Sequence, residues 1–252
     1  MPFRSLRLEL RDGIAWLTLN RPQVLNALDS PLFDELWQAI AELEADASAR
    51  VVILSGAGRA FSAGRDIAEI SRKGARQVLQ KSPGGHVFNR LAVLPKPTIA
   101  AVHGPCFTGA LELALTCDII IASEDATFGD THARLGVIPG GGGTQRLPQR
   151  VGPHRAKQML FTGLPVTATE AERMGLVNKV VPRDRLMAEA ETMARAILEA
   201  SAHSLATEKR LVAANLDAGL AQEAAAFYNL WADGDNPDIQ TRFERMLASL
   251  KR

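Results

Sequence analysis

The sequence has few of the features that mark secreted, metal-binding or membrane proteins. Its 252 residues include only two cysteines, Cys106 and Cys117, so we expect neither a disulfide framework nor a cysteine-ligated zinc site. No apolar run approaches the roughly 20 residues of a membrane-spanning helix. The first residues are charged and lack the apolar stretch of a secretory signal. These absences predict a cytoplasmic protein that does not enter a membrane.

The sequence also has no large excess of positive or negative charge. The 29 Lys and Arg residues nearly balance the 28 Asp and Glu residues, which gives no reason to expect a nucleic-acid partner. No metal site is predicted, because four of the five histidines have no ligand spacing, and we interpret them as structural or surface residues: His86, His103, His154 and His203. What the chain does have is apolar content of 46%, enough for a sizeable core.

Strand, turn and helix signals alternate over the first 183 residues. Asp12-Gly13 between two apolar runs predicts a hairpin, and short β-branched runs at 51–54, 99–102 and 119–122 predict buried strands. From about Asp184 onward the pattern is helical to the end. We therefore predict an α/β core over 1–183 and a helical region over 184–252. The polar stretch 71–86 predicts a mobile, irregular segment, with a helix that begins after Ser82 and runs to Leu94.

The stretch 99–122 carries the strongest chemical signal. A buried strand is followed by a turn and by a short apolar helix, which begins near Thr108-Gly109 and contains one carboxylate, Glu112. Gly109 lies one turn before Glu112 on the same helix face, and its backbone N–H is unpaired at the positive end of the helix. This pairing suits a reaction that builds negative charge on a carbonyl oxygen and moves a proton nearby.

Four stretches occur together in one order and spacing: LTLNRPQVLNAL (17–28), GAGRAFSAGRDI (56–67), KPTIAAVHGPCFTGALELALTCDI (96–119) and FGDTHARLGVIPGGGGTQRLPQRVG (128–152). In these the sequence resembles the crotonase family, the enoyl-CoA hydratase/isomerase superfamily. The resemblance implies an α/β fold, a crotonase-like spiral of β-β-α units with two nearly perpendicular sheets, followed by C-terminal helices that trimerise. It also implies an acyl-CoA thioester as substrate and no separate cofactor, since coenzyme A is part of the substrate.

The resemblance assigns roles to individual residues. The backbone N–H groups of the family's oxyanion hole fall on Ala63 and Gly109, where they would bind the thioester oxygen as it becomes an enolate. The first of the two glutamates that hold water in the hydratases falls on Glu112. The second falls on His132, so the sequence departs from the family there. Histidine titrates near working pH, so a Glu112–His132 pair can still move protons.

This departure leaves the reaction open. The leading expectation is an acyl-CoA lyase that adds water across the double bond of a 2-enoyl-CoA. A crotonase-fold hydrolase or retro-Claisen enzyme using Glu112 and His132 is one alternative, and a histidine bonded only to Asp130 or to a backbone carbonyl is another. An isomerase is less favoured, because the glycines at 140–143 stand where isomerases of the family carry an acid. A non-catalytic CoA-binding protein is the remaining alternative, since one fold hosts many functions.

The family binds CoA along the backbone of two turns. The residues of this sequence that fall in these turns are Arg21, Val24 and Asn26 in the first, and Ser62, Ala63, Arg65, Asp66 and Ile67 in the second. Arg59 and Arg65 are candidate partners of the CoA phosphates, because guanidinium pairs well with phosphate.

The helical tail predicts self-association. It has more apolar residues than a lone appendage needs, including Phe227, Tyr228, Leu230, Trp231, Phe243 and Leu247. Together with the resemblance, this predicts a homotrimer or a dimer of trimers.

Overall fold

The computed structural model describes residues 3–80, 84–213, 217–229 and 237–250. Nine strands are formed in these ranges: β1 (Leu6–Arg11), β2 (Ile14–Leu19), β3 (Val51–Gly56), β4 (Thr98–Val102), β5 (Pro105–Phe107), β6 (Ile119–Ser123), β7 (Thr127–Gly129), β8 (Val166–Thr167) and β9 (Lys179–Val181). Twelve helices occur in the same ranges: α1 (Ser30–Ala45), α2 (Ile67–Lys73), α3 (Ala75–Gln80), α4 (Gly84–Ala92), α5 (Gly109–Leu115), α6 (Gly143–Val151), α7 (Pro153–Thr162), α8 (Ala168–Arg173), α9 (Leu186–Leu198), α10 (Ala202–Ala213), α11 (Asp217–Asn229) and α12 (Pro237–Leu250).

The larger sheet has six strands in the order β1-β2-β3-β4-β6-β9. The predicted hairpin joins β1 to β2 in antiparallel pairing, and Asp12 and Gly13 have φ angles of 50° and 81°, as a two-residue hairpin turn requires. The other neighbours pair in parallel. All five residues of β4 are buried, because helix α9 covers one face of the sheet and the main core covers the other.

A second, three-stranded sheet has the order β5-β7-β8. The sequence predicts only a turn between the strand at 99–102 and the helix at Gly109, whereas Pro105–Phe107 form β5 and pair in parallel with β7. Proline is tolerated there because it is the first residue of the strand. Since β5 leads directly into helix α5 and β7 leads to Asp130, this small sheet brings Glu112 and His132 to the same edge.

The residues at 67–80, which follow the second of the two turns predicted to bind CoA, are mostly helical rather than irregular. Helices α2 and α3 occupy 67–73 and 75–80, so the expectation of an irregular segment beginning at 71 is wrong for 71–80. Ile70, Val78 and Leu79 are buried there against Phe243 of α12. These short helices have polar sequences, and it is the contact with a distant part of the chain that stabilises them. The helix predicted after Ser82 is present as α4, which ends at Ala92 rather than at Leu94; Ser82 itself lies outside the described residues.

The helical tail covers the core of its own chain. Helix α11 contacts α6, and α12 contacts α2, α3 and the 3₁₀ turn His132–Leu135. Phe243 is 4% exposed, so part of the apolar surface that predicted self-association is already buried within one chain. Leu230 and Trp231 lie outside the described residues. Among those that are described, no helix combines the length and the apolar character needed to cross a membrane.

Candidate active site

Helix α5 places Glu112 in a buried position. Its N-cap residue, Thr108, has φ 49° and ψ −116°, a backbone conformation that is rare outside glycine and that marks strain at a turn. This sharp turn points the first turn of α5 into the interior, and Glu112 is 4% exposed. The predicted helix start at Gly109 is confirmed.

The carboxylate of Glu112 is held by the glycine run at 140–143. Its Oε1 atom accepts hydrogen bonds from the backbone N–H groups of Gly141, at 2.7 Å, and Gly143, at 3.0 Å. The second oxygen, Oε2, is left to face His132. Helix α6 begins at Gly143, so the glycine run leads directly into the N-terminal end of this helix.

Close packing explains why this run has no side chains. A Cβ on Gly140 would lie 2.7 Å from the Phe227 ring, and one on Gly141 would lie 2.5 Å from the Phe88 ring and 3.1 Å from the carboxyl carbon of Glu112. Gly142 has φ +100°, and a Cβ there would collide with the Arg146 guanidinium. The run therefore lets backbone donors approach the Glu112 carboxylate at hydrogen-bonding distance.

His132 is oriented by Asp130. The Nδ1 atom of His132 lies 3.0 Å from both carboxylate oxygens of Asp130, and the backbone N–H of His132 donates to Oδ1 of the same residue at 3.1 Å. Asp130 is 1% exposed. The Nε2 atom of His132 lies 3.7 Å from Oε2 of Glu112, which is too long for a hydrogen bond. The contact with Asp130 thus fixes the ring without occupying the nitrogen that faces Glu112.

Burial and charge set the protonation of the pair. Burial raises the pKa of Glu112 to about 7; His132 opposes this rise, while Glu223 and Asp130 add to it. Burial disfavours the imidazolium form of His132, but the Asp130 carboxylate outweighs burial and raises the His132 pKa to about 9. Between these two values a carboxylate and an imidazolium face each other.

Glu112 and His132 line a small cavity of ≈ 70 Å³. Its walls are mostly apolar or glycine, and the side chains and backbone that line it belong to Leu28, Phe33, Arg65, Leu79, Gly84, Gly85, Phe88, Gly109, Val137, Gly140, Gly141, Phe227 and Tyr228. A small apolar space with two titratable groups on one wall is the usual form of a site for a small, mostly apolar substrate group.

The structure corrects one of the two predicted backbone donors. Ala63 does not line the cavity, and its N–H donates to the carbonyl of Leu25 at 2.9 Å. Arg65, two residues later, does line the cavity, and its backbone N–H has no hydrogen-bond partner in the described part of the chain. The same holds for Gly109. Arg65 and Gly109 therefore border the cavity with N–H groups that have no partner among the described residues, whereas the turn at 62–66 directs the N–H of Ala63 to the carbonyl of Leu25.

Most of the predicted CoA-binding side chains are already engaged within the chain. Arg21 forms ion pairs with Asp29, at 2.9 Å, and Asp66, at 3.0 Å. Asn26 is fully buried and donates to the carbonyls of Ala57 and Ala60. These side chains build the turns. Backbone groups of the turns, with exposed residues such as Val24, are what remains available to a ligand.

The second predicted turn shows the same pattern. The Ser62 hydroxyl donates to the carbonyl of Asn26 at 2.7 Å, and Asp66 caps helix α2 by accepting from Glu69. Ile67 is the first residue of that helix. The Arg65 guanidinium donates to two backbone carbonyls and lies 4.8 Å above the Phe33 ring, whereas Arg59 is exposed. Arg59 is therefore the freer of the two candidate phosphate partners.

The other four histidines occupy structural or surface positions, as the sequence predicts. His103 is buried, its Nε2 lies 3.2 Å from the carbonyl of Gly58, and burial lowers its pKa to about 4. The other three are exposed: His86, His154 and His203. Cys106 and Cys117 are free, buried thiols.

Two buried residues of the site were not predicted from the sequence, Glu223 and Arg146. Glu223, on α11, accepts hydrogen bonds from the backbone of Gly142 and Thr144. Arg146, on α6, donates to the carbonyl of Gly141 at 2.7 Å. A buried acid within a helix of mostly apolar residues is the signal that points to Glu223, but nothing local connects it to Gly142, 81 residues away.

The fold and the site together define a class of protein. Two free backbone donors and an acid–base pair on a small cavity are the groups needed to act on a carbonyl compound through an enolate. The chain belongs to the enoyl-CoA hydratase/isomerase family, whose sequence model matches residues 9–240.

Individual relatives agree with this assignment. The chain is 40% identical to a short-chain-enoyl-CoA hydratase of Clostridium acetobutylicum over 249 residues, covering 96% of this chain and 95% of the relative. It is 38% identical to a crotonyl-CoA hydratase of Syntrophomonas wolfei, covering 96% of each.

Solved structures show the same fold. The crystal structure of an enoyl-CoA hydratase/isomerase from Xanthobacter autotrophicus Py2 matches with a TM-score of 0.86 at 37% identity, covering 96% of this chain and 92% of that one. An enoyl-CoA hydratase from Mycobacterium avium matches with a TM-score of 0.80 at 41% identity, covering 90% and 96%. The predicted crotonase fold is thereby confirmed.

Proposed function

We propose that this chain is an acyl-CoA lyase that adds water across the double bond of a short 2-enoyl-CoA, with His132 in the place of the family's second glutamate. The observation that carries the proposal is the facing pair Glu112 and His132, 3.7 Å apart on the wall of a small cavity. The names of the relatives, short-chain-enoyl-CoA hydratase and crotonyl-CoA hydratase, support the same substrate class.

In the proposed steps Glu112 acts as the base and His132 as the acid. Water gives a proton to the Glu112 carboxylate, and its oxygen bonds to C3 of the enoyl group. The electrons of the double bond move onto the thioester oxygen, forming an enolate. His132 then donates the proton on Nε2 to C2, and the electrons of the enolate form the C2–H bond. A final proton transfer from Glu112 to His132 restores both groups, which lie close enough for it. Because both groups are on one wall, the addition is syn.

Backbone donors stabilise the enolate in this proposal. The N–H groups of Arg65 and Gly109 are free and border the cavity, and that of Gly109 is at the positive end of helix α5. Loss of one such donor typically reduces the rate by about 10²–10³-fold. No side chain is needed for this role, which leaves Arg65 free to pack against Phe33.

The size of the cavity favours a short acyl chain. A cavity of about 150 Å³ holds a benzene ring, and the cavity beside Glu112 measures ≈ 70 Å³. Phe33 and Phe88 form part of its apolar wall, and their rings are 5.6 Å apart. A chain of about four carbons fits such a space, whereas a long chain requires these rings to move.

The proposal also includes a CoA-binding surface, a cellular location and an oligomeric state. The backbone of the turns around Val24 and Ser62 binds the CoA moiety, with Arg59 as the candidate partner of its phosphates. The protein acts in the cytoplasm as a homotrimer or a dimer of trimers, with no cofactor beyond the CoA of the substrate.

One observation favours a second candidate function. The Asp130 carboxylate raises the basicity of His132, as in sites where a histidine activates water for attack on a carbonyl carbon. A hydrolase or retro-Claisen enzyme acting on a β-diketone would use the same cavity. In that reaction His132 starts as the neutral base, so activity is greatest above the pKa of His132.

A panel assay separates the two functions. The purified chain is given crotonyl-CoA, a 3-enoyl-CoA, a long-chain 2-enoyl-CoA and a cyclic β-diketone, and products are identified by mass and by isomer. We expect 3-hydroxybutyryl-CoA from crotonyl-CoA and little turnover of the others. Cleavage of the β-diketone with no hydration of crotonyl-CoA would replace the proposal by the second candidate.

A further inference from the structure

Four successive backbone N–H groups alternate between two buried glutamates. Gly141 and Gly143 donate to Oε1 of Glu112, as described above. Gly142 donates to Oε1 of Glu223, and Thr144 donates to Oε2 of Glu223 at 2.6 Å. The Thr144 hydroxyl donates to Oε2 as well. Neighbouring peptide groups of one short stretch are thus directed to opposite sides, one side towards the cavity and one towards helix α11.

This stretch is the N-terminal end of helix α6, which has no cap of its own. The N-cap residue is Gly142, and it has no side chain that could accept from the first turn. The unpaired N–H groups of a helix start need acceptors when they are buried. Here the acceptors come from two distant helices, Glu112 on α5 and Glu223 on α11.

A third residue holds the same stretch from the carbonyl side. The Arg146 guanidinium donates to the carbonyl of Gly141 at 2.7 Å and to the side-chain oxygen of Asn89 at 2.7 Å. A glycine run has the greatest backbone freedom of any sequence, so its conformation depends on such contacts. Glu223 makes three of them, to Gly142 and to both the backbone and the hydroxyl of Thr144.

We propose that Glu223 is a positioning residue for catalysis: it accepts the N–H groups of Gly142 and Thr144, and thereby turns the intervening N–H of Gly143 and the preceding N–H of Gly141 towards Glu112. The inference rests on the proposed role of Glu112 as the base. It makes the C-terminal helix α11 a part of the active site, because the geometry of the catalytic carboxylate depends on a residue of the tail.

The charges around Glu112 define what a change at Glu223 does. His132 faces Glu112 from the 3₁₀ turn, Asp130 lies behind His132, Glu223 lies on α11, and Arg146 lies on α6. The N–H donors of the glycine run favour the ionised form of Glu112, whereas the charge of Glu223 opposes it. The N–H groups that Glu223 holds in place lower the pKa of Glu112, whereas the negative charge of Glu223 raises it. Two variants, one that shortens the side chain and one that removes its charge, separate these effects.

Glu223→Asp keeps the charge and shortens the reach, so the glycine run loses its anchor. We expect kcat to fall by about tenfold or more, since displacement by about 1 Å can cost 10²-fold. KM should stay within about threefold of wild type. Glu112 loses N–H donors, so its titration should move to higher pH.

Glu223→Gln keeps the reach and one acceptor oxygen, and it removes the charge that opposes ionisation of Glu112. We expect a smaller loss of kcat than in Glu223→Asp, and a titration of Glu112 that moves to lower pH. If Glu223→Asp does not fold, kcat of Glu223→Gln decides the matter: the amide keeps an acceptor for only one of the two backbone N–H groups, so kcat should lie below wild type, and a kcat equal to or above wild type overturns the proposal.

The titration is measured without relying on activity. The side-chain carboxyl carbons of glutamate are labelled with ¹³C, the Glu112 signal is assigned by its absence in Glu112→Gln, and its shift is followed against pH by NMR. Steady-state kcat and KM are measured in parallel. Should the wild type lack hydratase activity, the proposed function fails while the titration still tests the positioning role.

Glu35→Gln is the matched control. Glu35 also accepts two successive backbone N–H groups, from Arg4 at 3.0 Å and Ser5 at 2.8 Å, but it lies outside the cavity. We expect wild-type kcat and a wild-type Glu112 titration for this variant. Wild-type kcat and titration in both Glu223 variants overturn the proposal. So does full activity of Glu223→Asp beside an inactive Glu223→Gln, since charge alone would then matter.

Discussion

His132 and Glu112 face each other across 3.7 Å, and the opposite nitrogen of the histidine ring is bonded to Asp130. The ring therefore has one nitrogen fixed by a buried carboxylate and one left for chemistry. This arrangement gives the pair two different protonation states over the pH range in which an enzyme works, one group ready to accept a proton and the other ready to donate.

The pH dependence of hydration should be bell-shaped. Glu112 must be ionised to accept a proton, so the rate should fall as pH drops below its pKa of about 7. His132 must be protonated to donate, so the rate should fall as pH rises above its pKa of about 9. Steady-state kcat/KM measured with crotonyl-CoA against pH checks both limbs, because kcat/KM reports the pKa values of the free enzyme.

In the pH profile of hydration, Asp130→Asn should displace the alkaline limb by a large amount and the acid limb by much less. Asparagine can still accept from Nδ1 of His132, but it lacks the charge that raises the pKa of His132. We expect the alkaline limb to move down by about one pH unit or more, as is typical on loss of a neighbouring opposite charge. An unchanged alkaline limb in Asp130→Asn would show that a group other than His132 sets it.

Glu112→Gln should abolish turnover and leave binding intact. The amide fits the same space but cannot accept a proton, so kcat should fall by about 10²–10⁴-fold. The dissociation constant of a non-reactive acyl-CoA, measured by calorimetry, should stay within a few fold of wild type. Turnover equal to wild type on every substrate would contradict the role of Glu112 as the base.

Gly141→Ala should destabilise the fold as well as the site. The added Cβ would lie 2.5 Å from the Phe88 ring, an overpacking that typically costs about 1–3 kcal/mol. Thermal unfolding followed by circular dichroism should show a lower Tm. Gly109→Ala is the control, since its Cβ would meet nothing closer than Leu28 at 3.6 Å and the Tm should be nearly unchanged.

The sequence predicted the placement of Glu112 and Gly109 better than that of the residues around them. Glu112 and Gly109 follow from one helix whose spacing is readable. The prediction of Ala63 as a donor is wrong because the N–H groups of Ala63 and Arg65 point in different directions within one tight turn. The N–H of Ala63 is directed to the carbonyl of Leu25, an acceptor that the local sequence does not reveal. Glu223 was missed because its partners lie far away along the chain. Helices α2 and α3 were missed because their apolar residues are few and are buried by α12.

The protein should assemble as a trimer or a dimer of trimers. Phe243 is buried within its own chain, but helix α10 exposes Val212 at 86% and Leu211 at 64%, which is unusual for a monomer surface. Light scattering at micromolar concentration should give at least three chains per particle, and Val212→Glu should weaken the assembly if α10 lies in the interface. A monomer in the wild type would contradict this expectation.

Substitutions of His132 test the step at which this chain departs from its family. As proton donor, His132 can be replaced by glutamate, because His132→Glu restores the carboxylate pair of the hydratases. We then expect hydration of a short 2-enoyl-CoA to be kept or increased, with a displaced alkaline limb, while His132→Ala loses about 10²-fold or more. In a hydrolase that needs a neutral imidazole base, His132→Glu should destroy activity on the true substrate. If the ring only holds its turn through Asp130, neither variant should change kcat by more than about threefold. A flat alkaline limb in the wild type together with a fully active His132→Ala would remove His132 from the mechanism and leave Glu112 as the sole acid–base group.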